Sequence, residues 1–168
     1  MEPSEALSTA AQLALALAGF AGVVIAFRSG SLHEWEPIDR FRLRLLLNNS
    51  VLPLIFCATA MLLLNVKPPP SWIWRASSGL AIALTLPVGA ITRRAVRAFP
   101  AHQFQFTGAS RFVFYIFGIL GVVALLLQVY NVAVLNVFWA FFAMVIVQLL
   151  AGAFQFVRLI LIQPEKWQ

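Results

Sequence analysis

Charge is what this sequence has least of. Asp, Glu, Lys and Arg together make up 11% of its 168 residues, where a soluble domain carries about a quarter. A folded surface this poor in charge is not built for water. Cysteine is nearly absent as well. The only one, Cys57, excludes an intramolecular disulfide and a thiolate metal cage, and its place inside an apolar run makes it a small packing residue. Histidine occurs twice, as His33 and His102. Glu34, Glu36 and Asp39 lie near the first of these, but no two candidate ligands stand at a helical metal-binding spacing, and zinc needs three or four rigid ligands. No metal and no cofactor is expected. There is no Ser, His and acid constellation, no Gly-rich phosphate loop and no pair of intramembrane aspartates, so the chain reads as no enzyme. No internal repeat, low-complexity linker or long connection leaves room for a separate soluble domain.

What the sequence does have is length of apolar run. Hydrophobic residues account for 61% of the chain, mean hydropathy is +0.88, and the runs are long enough to cross the roughly 30 Å of bilayer hydrocarbon. Five segments can be drawn, at 6–27, 43–66, 72–91, 112–130 and 132–162. The sequence therefore predicts one all-α domain over 1–168, a polytopic transmembrane helix bundle. The first segment is read as a retained helix. Glu2 and Glu5 precede it without a basic residue, whereas a signal peptide begins with a basic stretch.

The boundary inside the last apolar stretch needs an argument. From Phe112 to Ile162 the only charge is Arg158, and a straight helix of that length would run to about 77 Å. It must fold back, and Gln128, Tyr130, Asn131 and Asn136 supply the polar turn. Charge placement agrees. With five spans, only Lys67 and Arg75 lie on one side, and the other ten basic residues lie on the opposite side. A single final crossing would move Arg158 and Lys166 across and weaken the asymmetry. The positive-inside rule then puts the N-terminus outside and the C-terminus in the cytoplasm of a bacterial inner membrane. The same placement removes nucleic acid as the reason for a net charge of +6. Pro68-Pro69-Pro70 ends the second helix, and Ser71 is a cap for the third. Trp72 and Trp74 are expected at the outer interface, with Trp35, Phe99, Phe104, Phe106, Phe112 and Tyr115 as the inner aromatic belt.

Three patterns are candidates for function. In the first helix Ala10, Ala14, Ala18, Gly22 and Ala26 recur at every fourth position, and such a face lets another helix approach closely. It can serve packing within the bundle, a subunit interface or a pore lining, and it puts the first helix at the packing hub. At the cytoplasmic end Arg40, Arg42, Arg44, Arg93, Arg94, Arg97 and Arg111 form a basic collar. These arginines either snorkel to fix helix ends or hold anionic headgroups, a polyanion or a partner, and Asp39 is placed to pair with Arg42 at i, i+3. At depth the chain carries neutral polar residues, chief among them Asn48, Thr59, Gln128, Gln148 and Gln155, with Gln148, Gly152 and Gln155 on one face. These suit interhelical hydrogen bonds or a wetted path. No Asp, Glu, Lys or His lies deep in a span, which disfavours proton-coupled transport.

The runs Gly19-Phe20-Ala21-Gly22 and Trp35 to Arg44 together resemble a group of small uncharacterised polytopic bacterial inner-membrane proteins. The resemblance covers the chain to the end of the second apolar segment and implies no activity. The leading expectation is a non-catalytic membrane subunit that forms a homo-oligomer or binds a membrane-protein partner among anionic lipids. The alternatives are a subunit of an oligomeric channel, with Glu2 and Glu5 at its outer mouth, and a sensor of anionic lipid or polyanion built on the collar.

Overall fold

Prolines set most of the helix starts, as their fixed φ and missing N–H suit a first turn. The computed structural model describes residues 2–27, 35, 37–66, 69–98 and 108–161, of which 96% are helical and none is in a strand. The helices are α1 (Pro3–Phe27), α2 (Pro37–Val66), α3 (Pro70–Ala98), α4 (Gly108–Tyr130) and α5 (Phe138–Leu161), with a π turn at Asn131–Leu135 between the last two. All five are long and apolar enough to cross a membrane. The chain is a multi-pass membrane protein with a helix-bundle fold. Helix α3 begins one residue before Ser71, so Ser71 lies in its first turn rather than capping it.

Helices α1, α2, α3 and α4 form an arc around α5, which touches all four. The hub is α5, not α1. Its buried positions Ala140, Phe141, Met144, Val145, Gln148, Leu149, Gly152 and Gln155 cover more than one face, while α1 packs on α2 and α5 only. The reason is visible in the spacing of α1. Its buried and half-buried positions Leu7, Ala10, Ala14, Leu17, Ala21 and Val24 alternate steps of three and four, the seam of left-handed helix packing. A row of every fourth residue advances about 40° per step at 3.6 residues per turn. Ala10 and Ala14 are therefore buried and Ala18 half-buried, but Gly22 and Ala26 have rotated out to the exposed face.

Gly152 is a point of close helix approach. A Cβ there would stand 3.3 Å from the Asn49 carbonyl oxygen and 3.4 Å from Leu17 Cδ1, so α5, α2 and α1 meet at this residue. Pro53 lies four residues beyond Asn49 inside α2 and has no N–H for that carbonyl. The freed oxygen faces the bare backbone of α5 instead.

The predicted fold-back is built as a polar knot. Gln128 and Asn131 are fully buried. The Asn131 amide donates to Ser78 Oγ at 2.8 Å, Ser78 Oγ donates to Gln128 Oε1 at 2.8 Å, and Gln128 Nε2 donates to the Ala140 carbonyl at 2.8 Å. Asn131 Oδ1 accepts the Val137 N–H at 2.9 Å, and the Asn136 N–H closes the π turn onto the Asn131 carbonyl at 3.0 Å. Asn136 adopts φ 52°, a left-handed conformation that asparagine tolerates better than other side chains do, and its Oδ1 accepts from Arg75 Nε at 3.0 Å. Three helices are thereby tied through side chains buried in the bundle, where an unmet polar group costs about 1 to 3 kcal/mol.

Two aromatic expectations are corrected. Trp72 is exposed, but Trp74 turns inward, with ring centroids 5.0 Å from Phe138 and 6.0 Å from Phe141. Trp35 is buried with Ala21, Leu43, Leu46 and Leu159 rather than placed in a belt. Tyr115 is exposed. Phe99, Phe104 and Phe106 lie outside the described residues.

Candidate functional site

Two places in the bundle collect chemistry. The first is the end where α1 finishes, α2 begins and α3 and α5 finish. Arg40, Arg44, Arg93, Arg94 and Arg97 are exposed there, and none has an acidic partner among the described residues. Arg111 is on the first turn of α4. Arg42 is the exception, for it points inward and its Nη1 lies 3.0 Å from Asp39 Oδ1, which is the i, i+3 pair that the spacing predicts. Arg158 of α5 is buried within electrostatic reach of Arg42. The collar thus divides into an exposed set and an inward-turned Arg42 paired with Asp39 within the first turns of α2. His33, His102, Glu34 and Glu36 lie outside the described residues, and among those described no three of His, Cys, Asp and Glu gather.

The second place is a cleft of about 210 Å³ walled by α2, α3, α4 and α5. Helices α3 and α5 each run antiparallel to α4 and so run in the same direction, which repeats one register along both. Gln148 of α5 donates from Nε2 to Thr85 Oγ1 of α3 at 3.3 Å. Seven residues on, Gln155 and Thr92 occupy the equivalent level and line the same cleft. Seven residues are about 20° short of two full turns, so each pair stays on one face. Asn48 and Asn49 of α2 also line it. Phe117 of α4 and Phe154 of α5, with ring centroids 5.4 Å apart, line it as well. Among the described residues, no ionisable one lines the cleft.

Gln148 and Gln155 are only 6% and 7% exposed, yet neither Oε1 has a hydrogen-bond partner among the described residues. This departs from the Gln128 arrangement, where both ends of the amide are bonded. The sequence pointed to Asn48, Gln148 and Gln155, which the fold brings together. Thr59 is half-buried on α2 and does not line the cleft, and Gln128 belongs to the polar knot. Thr92 escaped the sequence reading, and its signal was the seven-residue step from Thr85 that matches the step from Gln148 to Gln155. Cys57, the only cysteine, is buried in the core beside Phe56 and Ala60. Comparison of the chain with protein-family models, curated proteins and solved structures finds no match, so the site is read from its own geometry.

Proposed function

We propose that the protein is a non-catalytic subunit of a bacterial cytoplasmic membrane, with its N-terminus outside, that associates through α1 with a second membrane-embedded chain, in the first instance its own copy. The observation that carries this reading is the outward face of α1. Gln12, Gly19 and Ala26 are exposed there at seven-residue intervals, with Gly22 beside them. Among the described residues, nothing beyond the local helix backbone lies within 4 Å of a Cβ built on Gly19 or Gly22, so neither glycine makes room for another described helix of the bundle. Glycine inside a helix costs roughly 0.5 to 1 kcal/mol relative to alanine. A second helix against this face offsets that cost by close backbone packing, and its own glutamine gives the Gln12 amide a partner in hydrocarbon. The second half of the every-fourth-residue row, Gly22 and Ala26, joins this face after leaving the intramolecular one.

The test is cross-linking in native membranes together with the mass of the detergent-solubilised particle. Gly19→Leu and Gln12→Leu are expected to weaken association about tenfold each, the scale of one interhelical hydrogen bond or packing contact in a membrane. Their melting profiles stay at the wild-type position, because the space is open in the single chain. A wild-type protein that is monomeric and captures no partner in its own membrane would sink the reading.

A second reading is favoured by the five exposed arginines, none of which forms an ion pair with an acidic residue among the described residues. Each such residue is worth about 1 kcal/mol near an anionic bilayer surface. Binding to anionic vesicles is expected to fall with added salt, and the double change Arg93→Glu and Arg94→Glu to reduce it more than tenfold. Unchanged binding would dispose of the collar as a lipid contact.

A further inference from the structure

The cleft walled by α2, α3, α4 and α5 opens sideways into the bilayer. Gly89 of α3 and Gly118 of α4 line it and are exposed, and both fall within the apolar spans of their helices. Among the described residues, nothing beyond the local helix backbone lies within 4 Å of a Cβ built on either glycine. An exposed position within a span meets acyl chains, so bare backbone borders an opening that faces lipid. The interior suits the same occupant. The carbonyl oxygens of Gln148 and Gln155 are shut off from the cavity, and Thr85 Oγ1 already accepts from Gln148 Nε2. At that depth the remaining lining is carbon, from Leu52, Val88 and Ala151.

Towards the basic end of the bundle the chemistry changes in the order in which a phospholipid presents it. Arg44 stands one turn before Asn48 on α2, and Arg93 directly follows Thr92, one turn beyond Gly89 on α3. Both arginines are exposed, and neither forms an ion pair with an acidic residue among the described residues. Eight residues separate Arg44 from Leu52, and eight separate Arg93 from Thr85. On either helix the lining therefore reaches about 12 Å below the level of its arginine, within the roughly 15 Å of hydrocarbon in one leaflet. Between the arginines and the carbon lining come the Asn48 amide and the Thr92 hydroxyl, neutral donors at the depth of ester carbonyls.

A free phosphate satisfies only the arginines, and an uncharged lipid only the donors and the carbon lining. An anionic glycerophospholipid satisfies all three. We propose that the cleft is a site for one such lipid, with its phosphate between Arg44 and Arg93 and one acyl chain entering past Gly89 and Gly118. This rests on the reading of the collar as a lipid contact and replaces a diffuse attraction by a single bound molecule.

The experiment uses the full chain in phosphatidylcholine nanodiscs with phosphatidylglycerol as the minor component, and native mass spectrometry counts the lipid that stays bound. Wild type is expected to retain one phosphatidylglycerol per chain in preference to phosphatidylcholine. Gly89→Leu puts a side chain into the opening and leaves every arginine in place. It is expected to cut retention by about tenfold or more while melting at the wild-type temperature, because the space is open. Gly118→Leu obstructs the opening from α4 and serves should Gly89→Leu fail to fold. Arg44→Gln and Arg93→Gln each lower retention about tenfold, the scale of one charge-assisted contact. Equal retention of the two lipids by wild type, or wild-type retention by the glycine variants, overturns the site. The collar is judged separately, by salt-sensitive binding to anionic vesicles. Failure of the site alone leaves that binding dependent on Arg93 and Arg94, whereas failure of the collar removes the dependence.

Discussion

Gly152→Leu is expected to abolish the folded protein. A Cβ on Gly152 already meets the Asn49 carbonyl oxygen at 3.3 Å and Leu17 Cδ1 at 3.4 Å, and three further carbons have nowhere to go at the junction of α1, α2 and α5. Overpacking a well-filled core costs about 1 to 3 kcal/mol, and here the obstacle is backbone, so the cost lies at or beyond the upper end. Gly152→Ala is a graded companion. It requires the neighbours to yield only a few tenths of an ångström, and about 1 kcal/mol is expected. Gly19→Leu adds the same bulk on the open face of α1 and leaves stability within about 0.5 kcal/mol of wild type. The sole cysteine makes the measurement simple. Cys57 is fully buried in the core, so a thiol-reactive dye added during heating reports core opening without an introduced label. Equal melting of Gly152→Leu and Gly19→Leu would show that the helices do not converge as described.

Asn131→Leu carries the second large effect. The Asn131 side chain accepts the Val137 N–H at 2.9 Å and donates to Ser78 Oγ at 2.8 Å. Leucine of similar size ends both bonds and a third to the Val137 carbonyl at 3.2 Å, leaving the Val137 N–H without an acceptor while Ser78 Oγ keeps only its bond to Gln128 Oε1. An orphaned buried polar group costs about 1 to 3 kcal/mol, so a loss of about 3 kcal/mol is expected. Asn136→Gly probes the neighbouring residue for contrast. Glycine takes φ 52° without strain, and the change gives up the bond from Arg75 while keeping the Asn136 N–H on the Asn131 carbonyl. It is expected to cost less than about 1 kcal/mol. Dye uptake at Cys57 again separates the two. Similar losses at the two positions would mean that Asn131 does not hold the turn.

These contrasts also show what the sequence could and could not disclose. The five apolar segments and the reversal between Gln128 and Asn136 followed from length, polarity and charge placement, which act locally and leave a direct trace. The Asp39–Arg42 pair was visible for the same reason, being set by one turn of one helix. The shared face of Gln148, Gly152 and Gln155 was legible, but its partners were not. Thr85 and Thr92 join it only because two non-adjacent helices run in the same direction at one register, and nothing within either helix states that register. The row from Ala10 to Ala26 misled for a geometric reason. Every fourth position looks like a face over two turns and winds off it over four. Trp35 and Trp74 were assigned from the habits of tryptophan near membrane ends, whereas packing against α5 and its neighbours decides where they point.

The polar knot has a consequence for how the chain enters a membrane. Between Phe112 and Leu161 the only charge is Arg158, near the trailing end, so carrying the α4–α5 reversal to the far leaflet moves no ionised group through hydrocarbon. The amides at that reversal are shielded on arrival, because Ser78 and Arg75 of α3, made earlier in the chain, already wait there as partners. Biogenesis of the second half can therefore proceed as insertion of one helical hairpin onto a preassembled receptor, with α3 as the guide and synthesis order as the source of its direction.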